Sequence, residues 1–592
     1  MRNSKLIVWA CDNLTRIFPM DKPPEKKSNA SWSMCGAKGE YCSFQVGIHT
    51  DIRLLDVEVT AAPLKKGKDK IGEKCFDVKW VGLVPVASDL FNPAGAERPN
   101  YTPGWYPDPL LEKAPWKDSE PSRSASVFVV IRIPQNARPG TYKGNLSVCV
   151  QKKSKIKIPV TLRVWPFSIP KKSDFSVTNW FHPDCVSKWH RCAPWSARYW
   201  RLLEEYAKDM AEHRINVITT PVLMGNFHNS DPMTLVDIVR KKDNTYRFDI
   251  SRLDRWVKLF DKYGFKYFEM WHFLSQADGK YAPPFGLYDE KKKKNIWYSK
   301  LPSTSKEYVN LMTAFLPELS KWLSARDLTG RFLMHVFDEP KPDFWAHYAK
   351  MSLMFRTLAP GIKHLDAISK SDIITGFKAD IDIPVPLTTH LEDDDGYYKK
   401  RATQGVKPVW WYTCCGPTGR YANRFLSMPL INGRMLFWQS YVFNVSGYLH
   451  WGYNFWHRTN QQESGVPGIT LYADHTLVNP YREQPDQWAA GDACIVYPHP
   501  RWWEDHGPMG SLRYEALRAG LQDYEMLSLL DKLLLNLSAK PGSKKARAIK
   551  DGKLLLETVR GSFAGSLTKF SRNNRQMLDL KQKIGDCISR LC

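Results

Sequence analysis

The chain contains Phe332-Leu333-Met334-His335-Val336-Phe337-Asp338-Glu339-Pro340, an apolar run that ends in two adjacent carboxylates. Such a run predicts a buried strand, because a strand covered on both faces needs apolar side chains on both. Acids at the exit of a buried strand cost free energy unless they are paired or serve a function. In a (β/α) barrel the carboxyl ends of the strands carry the chemistry, so this stretch predicts a site at Asp338 and Glu339.

Seven further apolar runs share this character, and helical patterns lie between many of them. Leu253, Trp256, Val257 and Phe260, for example, fall on one face of a predicted helix that ends at Gly264. Eight strands with intervening helices predict a (β/α)8 barrel of the TIM type. The predicted strands cover residues 174–181, 215–222, 266–273, 331–337, 363–369, 380–389, 408–414 and 447–455.

The part of the chain before this barrel has a different pattern, with short alternating runs separated by turns such as Ala137-Arg138-Pro139-Gly140-Thr141-Tyr142. Strands spaced in this way predict a β-sandwich. We therefore predict a multidomain β plus α/β protein, with a β-sandwich at residues 1–168, the catalytic barrel at 169–530, and a C-terminal helical extension at 531–592 packed on the barrel.

The composition is typical of a globular protein, with 592 residues, 43% hydrophobic and 25% charged. No apolar run approaches the roughly 18 residues of a membrane-spanning helix, so no transmembrane segment is expected. Residues 1–10 contain an apolar segment that is too short for a convincing export signal. The sequence leaves the compartment open, and our expectation is export to the periplasm or the cell surface, with any signal peptide already removed.

The formal net charge is +24, and its carriers include Lys65-Lys66, Lys152-Lys153 and the run from Lys291 to Lys294. These clusters are scattered in turn-like segments, which favours solvated surfaces over attraction to an acidic glycan, an anionic lipid or nucleic acid. The chain shows neither a known nucleic-acid-binding module nor a basic stripe interleaved with aromatic residues, so no nucleic-acid partner is expected.

The 12 cysteines lack the C-x-x-C spacing of a zinc site, and Cys414 and Cys415 are neighbours, which is a poor geometry for a mutual disulfide. We expect free thiols, and we expect neither a metal ion nor a cofactor. The sequence gives no indication of the oligomeric state.

Cleavage of a glycosidic bond usually requires two carboxylates on opposite sides of that bond. The predicted seventh strand, Val409-Trp410-Trp411-Tyr412-Thr413-Cys414, supplies no acid. Successive residues of a strand point to opposite faces, so Asp338 and Glu339 are not expected to be such an opposed pair. Two other interpretations stay open: an inverting base from the acidic loop at residues 392–395, and a helix start with Asp338 as the N-cap.

Adjacent Asp and Glu residues suit a reaction in which the 2-acetamido oxygen of the substrate attacks its own anomeric carbon. Glu339 would then protonate the leaving oxygen, while Asp338 would orient the acetamido N–H and stabilise the developing positive charge. A Tyr hydroxyl should bond the acetamido oxygen, and aromatic rings should enclose its methyl group. The predicted strand ends offer these candidate substrate-binding residues, each of which could instead belong to the core: His182, Trp271, His272, Trp410, Tyr412, Trp451, Tyr453 and Asn454.

The stretch Phe337-Asp338-Glu339-Pro340 resembles the acid pair of glycoside hydrolase family 123, the β-N-acetylgalactosaminidases. Two segments, Trp105–Leu110 and Arg138–Tyr142, resemble the amino-terminal sandwich of that family, and Gly510–Glu525 resembles its carboxyl-terminal helix signature. The resemblance implies a sandwich followed by a barrel, and retaining chemistry through an oxazolinium intermediate. It also implies Glu339 as the acid and Asp338 as the residue that orients the acetamido group.

The substrate implied by this resemblance is an oligosaccharide or glycolipid with a terminal β-linked N-acetylgalactosamine (GalNAc). Three alternatives stay open: another β-N-acetylhexosaminidase, an inverting or conventional glycosidase, and a non-catalytic glycan-binding protein. Fold alone does not decide among them.

Overall fold

The structure is a computed structural model that places most of the chain. The residues it describes are 6–24, 31–50, 54–55, 57–86, 95–98, 104–112, 118–119, 123–150, 154–223, 233–369, 381–392, 396–404, 408–458, 468–469, 490–538, 540 and 542–592.

The amino-terminal part is a sandwich of two sheets, as predicted. In the five-stranded sheet the order is Leu6–Asp12, Tyr41–Thr50, Arg123–Arg132, Phe76–Val86 and Gly104–Leu111. The facing sheet has the order Trp32–Lys38, Ser154–Ser168, Gly140–Val150, Leu64–Lys66 and Asp69–Ile71, and Val57–Ala61 also pairs with Gly140–Val150. A further short pair joins Leu54–Leu55 to Asp118–Ser119.

The strand Arg123–Arg132 departs from the alternating pattern of the sandwich, because its residues 127–131 are all apolar. Val127 and Val129 belong to the core between the two sheets, whereas Phe128 and Val130 belong to a second core that continues into the barrel. Both faces of the strand are therefore covered, and alternation of polar and apolar residues is lost.

The second part is an eight-stranded parallel barrel, which confirms the predicted fold class. The sheet has the order sixth, fifth, fourth, third, second, first, eighth and seventh strand. A parallel bridge between Leu387 and Tyr412 connects its two ends. All eight observed strands lie inside the predicted runs, in chain order Ser176–Asn179, Val217–Thr220, Tyr267–Met270, Phe332–Met334, Lys363–Ile368, Ile383–Pro386, Trp410–Tyr412 and Gly447–His450.

Helices follow most of these strands and cover the outside of the barrel. In Ser251–Lys262 the four residues of the predicted apolar face are buried, as amphipathic spacing requires. Residues of the loops after the second and third strands form a separate four-stranded sheet. The helices of this part are Pro183–Trp189, Ala197–Glu212, Ser251–Lys262, Lys306–Ser324, Trp345–Leu358, Tyr397–Gln404, Leu430–Val442 and Leu512–Asn536.

The carboxyl-terminal helices Lys544–Thr558 and Asn574–Leu591 pack against Leu512–Asn536, and Asn574–Leu591 also contacts the sandwich strand Ser154–Ser168. At this contact a Cβ atom on Gly585 would lie 2.3 Å from the Trp165 ring, so only glycine allows the helix to come so close. The indole N–H of Trp165 donates a hydrogen bond to Asp586 at 2.8 Å.

In the part of the chain that the structure describes, no helix combines the length and the apolar character needed to cross a bilayer. The boundaries proposed after residues 168 and 530 stay predictions, and so does export from the cell.

Candidate active site

The two adjacent carboxylates lie where the chain leaves the fourth barrel strand. The strand ends at Met334, and Glu339 adopts a φ angle of +48°, in the left-handed region that favours glycine. This conformation costs a non-glycine residue roughly 1 kcal/mol, and such strain tends to occur at functional sites. Asp338 and Glu339 both line one cavity, whereas consecutive residues of a regular strand would point to opposite faces.

The interpretation of these residues as a helix start is wrong. The next α-helix begins at Trp345, and its N-cap is Phe344. The Asp338 side chain instead accepts a hydrogen bond from Gln276, in the loop after the third strand.

The cavity has a volume of about 250 Å³ and lies at the carboxyl ends of the barrel strands. Its wall combines aromatic rings with a few converging polar groups, which is typical of small-ligand sites. The lining residues are Trp180, His182, Trp271, Gln276, Asp338, Glu339, Ala367, Tyr412, Cys414, Cys415, Leu449, Trp451 and Asp492.

Asp338 is 6% exposed and has few partners for a buried acid. Gln276 Nε2 donates to its Oδ2 at 2.9 Å, and His272 Nε2 lies 3.9 Å from its Oδ1. Burial, and after it the negative charge of Glu339, raise the pKa of Asp338 well above its usual range. Two acids this close do not both ionise readily, so the pair tends to keep one proton.

Tyr412, at the end of the seventh strand, donates its hydroxyl hydrogen bond to Glu339 Oε1. Burial and the charge of Glu339 raise the pKa of Tyr412 well above its usual range, so this hydroxyl stays neutral. A neutral phenol beside the acid can donate to a carboxylate or to a bound oxygen atom.

A second group of charges is buried inside the same barrel. His335 Nε2 donates to Glu269 at 2.7 Å, and His335 Nδ1 donates to Asp366 at 2.9 Å. Burial alone would lower the pKa of His335, but the hydrogen bonds to Asp366 and Glu269 raise it to about 9. The imidazole is therefore charged at neutral pH, and it is held between two carboxyl groups.

His272 was predicted to bind substrate, but it does not line the cavity. Its ring centroid lies 4.3 Å from that of His335. Burial, and after it the neighbouring His335, lower the pKa of His272 well below its usual range. This neutral ring therefore backs Asp338 from the barrel interior.

Three other predicted residues are also absent from the lining of the cavity, each for a structural reason. Trp410 points into the barrel like Tyr412, but it lies two residues earlier on the strand and hence about 6.6 Å deeper. Its ring packs against Gly447 so closely that a Cβ atom on that residue would lie 2.4 Å away. Tyr453 follows the end of the eighth strand and donates to Asp209 of the helix Ala197–Glu212 at 2.9 Å.

Asn454 is the third of these residues, and it holds the backbone of a residue that does line the cavity. Its amide accepts a hydrogen bond from the His182 N–H at 2.8 Å and donates to the His182 carbonyl at 3.0 Å. This pair of bonds fixes the loop that presents the His182 ring.

The predicted residues that the structure does bring together are Asp338, Glu339, His182, Trp271, Tyr412 and Trp451. Trp271 stacks edge-on against Trp180, with centroids 5.3 Å apart. Within the described ranges, its buried indole N–H has no hydrogen-bond partner. A buried donor without a partner costs free energy, so a polar group that reached it would be stabilised.

Sequence reasoning did not select Asp492, which also lines the cavity. Asp492 Oδ2 accepts a hydrogen bond from Trp451 Nε1 at 2.9 Å. Burial raises the pKa of Asp492 to about 7, against the opposing effect of the Trp451 hydrogen bond. Asp492 lies about 40 residues after the last barrel strand and outside any recognisable motif, so only its spatial position identifies it.

Gln276, Trp180, Cys414 and Cys415 were also not selected as site residues. Gln276 is a polar residue in a loop and carries no pattern of its own, but Trp180 directly follows the first strand and could have been chosen by that criterion. The Cys414 and Cys415 sulfur atoms are 3.8 Å apart, and both residues are free thiols.

Two clusters in the described part of the chain have donor atoms close enough to hold a metal ion. One contains His272, His335 and Asp366, but His335 already uses both ring nitrogens in hydrogen bonds to carboxylates. The other contains Glu112, His499 and His506 and lies away from the cavity. The acidic loop offered as a source of an inverting base covers residues 392–395, of which 393–395 lie outside the described residues. Glu392 is exposed and accepts from Lys399 at 2.8 Å.

Comparisons with known proteins identify the family of this chain and agree with its architecture of sandwich and barrel. A search of curated proteins found no match. The model of the glycoside hydrolase 123 catalytic domain matches residues 180–530, and the model of the glycoside hydrolase 123 N-terminal domain matches residues 14–150.

Among solved structures, the chain is similar to a family 123 glycoside hydrolase from Clostridium perfringens, described for glycolipid glycan hydrolysis. The TM-score is 0.72 at 16% identity, with 99% of this chain and 97% of that chain covered. A family 5 xyloglucanase from Bacteroides ovatus matches with a TM-score of 0.29 at 8% identity, covering 83% of this chain and 98% of that chain. Because the catalytic model alone spans more than half of the sequence, this chain belongs to glycoside hydrolase family 123 and is a glycoside hydrolase.

Proposed function

We propose that this enzyme is an exo-acting, retaining β-N-acetylgalactosaminidase that works by substrate assistance. The observation that carries the proposal is that consecutive carboxylates, Asp338 and Glu339, line the same cavity. One acid can then serve the glycosidic oxygen while its neighbour serves the 2-acetamido group of the same sugar.

In the first step the acetamido oxygen attacks the anomeric carbon, and the glycosidic bond breaks. Glu339 gives its proton to the leaving oxygen, and Asp338 accepts a hydrogen bond from the acetamido N–H. This N–H stabilises the ionised form of Asp338, so the single proton of the pair moves to Glu339 when substrate binds. Water then opens the oxazolinium ion, Glu339 takes up a proton from that water, and the anomeric configuration is retained.

Other cavity residues fit supporting roles. Tyr412, which donates to Glu339 in the free enzyme, would direct its hydroxyl to the acetamido oxygen once substrate is bound. The buried indole N–H of Trp271 is available to a sugar hydroxyl, and the rings of Trp180 and Trp451 form apolar walls. Preorganised donors of this kind can contribute several kcal/mol to lowering the barrier.

The proposed substrate is an oligosaccharide or glycolipid that ends in β-linked GalNAc. The solved family 123 enzyme was described for glycolipid glycan hydrolysis, which supports a terminal sugar on a glycan chain. The small volume of the cavity, about 250 Å³, supports the release of one sugar at a time.

Aryl glycosides test this proposal directly. We expect turnover of aryl β-GalNAc, slower turnover of the glucosamine epimer, and inhibition by a thiazoline mimic of the oxazolinium ion. Hexosaminidase activity that the thiazoline does not inhibit would contradict substrate assistance. Binding without turnover across an aryl glycoside panel would instead favour a glycan-binding protein.

A second candidate is a conventional glycosidase that pairs Glu339 with Asp492. The observation in its favour is that Asp492, a buried acid whose pKa burial raises to about 7, lines the same cavity as Glu339. Its Oδ2 accepts from Trp451, and its Oδ1 lies 3.2 Å from His450 Nε2. An inverting enzyme of this type would place a water molecule between the two acids. Proton NMR of the first-formed sugar separates the candidates, because substrate assistance releases the β anomer from a β substrate and inversion releases the α anomer.

A further inference from the structure

Two hairpins form an accessory sheet beside the barrel. Its four strands lie in the order Tyr246–Asp249, Asp237–Arg240, Phe285–Asp289 and Lys294–Tyr298. The first two strands belong to the loop after the second barrel strand, and the other two belong to the loop after the third. Loops of this type lie at the carboxyl-terminal face of the barrel, which is also the face that holds the cavity.

The sheet joins two basic segments that are far apart in the sequence. Arg240 pairs with Asp289, and the Glu290 N–H donates to the Arg240 carbonyl at 2.9 Å, so the two hairpin turns lie side by side. The turns carry a lysine cluster, in which every member is exposed: Lys241, Lys242, Lys291, Lys292, Lys293 and Lys294.

Three acids lie in or beside these turns, Asp243, Asp289 and Glu290, so the six lysines of the cluster outnumber the acids two to one. Asp289 is engaged by Arg240, and the Asp243 side chain accepts a hydrogen bond from Thr245 at 2.7 Å. Among the described residues, none of the six lysines takes part in a salt bridge. A group of unpaired lysines on one edge produces a local positive potential that attracts anionic surfaces.

Two large aromatic side chains are exposed on the same sheet. Tyr288 is 42% exposed and Trp297 is 43% exposed. Gly286 pairs with Trp297 and Tyr288 pairs with Asn295, so both rings lie on one face of the hairpin. The opposite face is buried through Phe285 and Leu287, whereas the outer face is left open by the residues that the structure describes.

We propose that this face docks on the headgroup surface of an anionic lipid bilayer. Lysines beside exposed Trp and Tyr match the chemistry of that surface, because anionic headgroups attract the ammonium groups and the interfacial layer accepts aromatic rings. A soluble acidic polymer would satisfy the lysines alone. Gln276 lies in the same loop as the hairpin Phe285–Tyr298 and donates to Asp338, so this loop carries both a cavity residue and the docking face at the carboxyl-terminal end of the barrel.

Co-sedimentation of the full chain with lipid vesicles tests the proposal without any need for turnover. The comparison is between vesicles of phosphatidylcholine alone and vesicles that also contain phosphatidylglycerol, both at moderate salt. The wild type should bind only the anionic vesicles, and added salt should release it. Replacing Lys291, Lys292, Lys293 and Lys294 together by Gln should weaken binding by about 100-fold or more, since each lysine near such a surface contributes measurably.

A matched control removes the same charge elsewhere. Lys544, Lys545, Lys550 and Lys553 are exposed on the helix Lys544–Thr558, and their replacement by Gln should leave most of the vesicle binding. A second variant, Trp297→Ser, keeps every charge and should weaken binding severalfold. Unchanged hydrolysis of a soluble aryl glycoside reports that the variants are folded.

Three results would overturn the proposal. The first is that the wild type does not bind anionic vesicles. The second is that the control variant loses as much binding as the lysine-cluster variant. The third is that dextran sulfate binds tightly while vesicles do not. The last result would assign the lysine cluster to an acidic polymer.

Discussion

Two groups of buried acids lie in the same barrel, and they differ in how fully they are paired. Around His335, the Glu269 oxygens accept from Thr178, Trp180 and His335, while those of Asp366 accept from His335, Val336 and Tyr348. Asp338, which lies three residues after His335, accepts a hydrogen bond from Gln276 and faces a cavity.

This difference separates structural from functional acids. A satisfied ion cluster resists change, because removing one partner leaves the others buried without compensation. An acid with few partners raises the free energy of the folded state, and it persists where a substrate supplies the missing contacts. Substitutions in the two groups of acids should therefore have opposite consequences for activity and stability.

Glu339→Gln should lower kcat/KM on an aryl glycoside by about 10³- to 10⁴-fold, because a neutral amide cannot transfer the proton to the leaving oxygen. Its unfolding midpoint in urea should stay close to that of the wild type. A leaving group of low pKa needs less protonation, so the loss should shrink with such a substrate. Equal losses with good and poor leaving groups would argue against Glu339 as the acid.

His335→Ala should destabilise the fold by about 3–5 kcal/mol, because Glu269 and Asp366 lose their shared cation. Urea unfolding at pH 7 measures this loss. The folded-state pKa of about 9 lies above the unfolded value, so the stabilisation is complete at pH 6 and disappears as the pH rises through 9.

His272→Ala is the control for His335→Ala. It removes the His272 imidazole, a neutral ring whose centroid lies 4.3 Å from that of His335. The difference in stability between wild type and this control should therefore show little dependence on pH between 6 and 9. A similar pH dependence in both variants would contradict the assignment of the charge to His335.

Tyr412→Phe should lower kcat/KM by about 10- to 100-fold, because a hydrogen bond to a charged or developing charged group is worth about 1.5–3 kcal/mol. The loss should appear in kcat more than in KM if Tyr412 acts on the acetamido oxygen in the transition state. Trp410→Phe is the comparison, since this ring lies deeper in the same barrel and outside the cavity lining. A loss of activity in Trp410→Phe as large as that in Tyr412→Phe would remove the argument for a specific contact.

Asp338→Asn should abolish most activity but should raise stability by about 0.5–2 kcal/mol, the usual gain when a functional strain is relieved. Its pKa is raised in the folded state, so the ionised acid costs stability at neutral pH. The gain should be absent below the pKa of an unfolded carboxyl group, near pH 3.9, and should grow as the pH rises. Destabilisation by Asp338→Asn at pH 7 would place Asp338 with the structural acids instead.

The sequence predicted the barrel strands well because each strand is a short apolar run, and burial on both faces leaves little freedom in residue type. It also indicated Asp338 and Glu339, since charged residues after such a run are exceptional. The prediction was less specific for aromatic residues. Trp410 and Tyr412 both point inward from one strand, and only their depth along it separates core from cavity.

Other parts of the site depend on long-range contacts that leave no local pattern. Asp492 reaches the cavity from a loop after the barrel strands, and Gln276 reaches Asp338 from the loop of a neighbouring strand. The two basic turns meet only because the two hairpins share a sheet.

By itself, the sequence determined the order of sandwich and barrel, the positions of the strands, and the pair of acids at the exit of the fourth strand. These features follow from local periodicity and from the cost of burying charge. Only the tertiary structure decided which acids are neutralised, which aromatic rings border open space, and which lysines share a surface. Those properties depend on distances between residues that are remote in the chain. Such distances are set by the packing of the whole folded chain and not by local conformational preference.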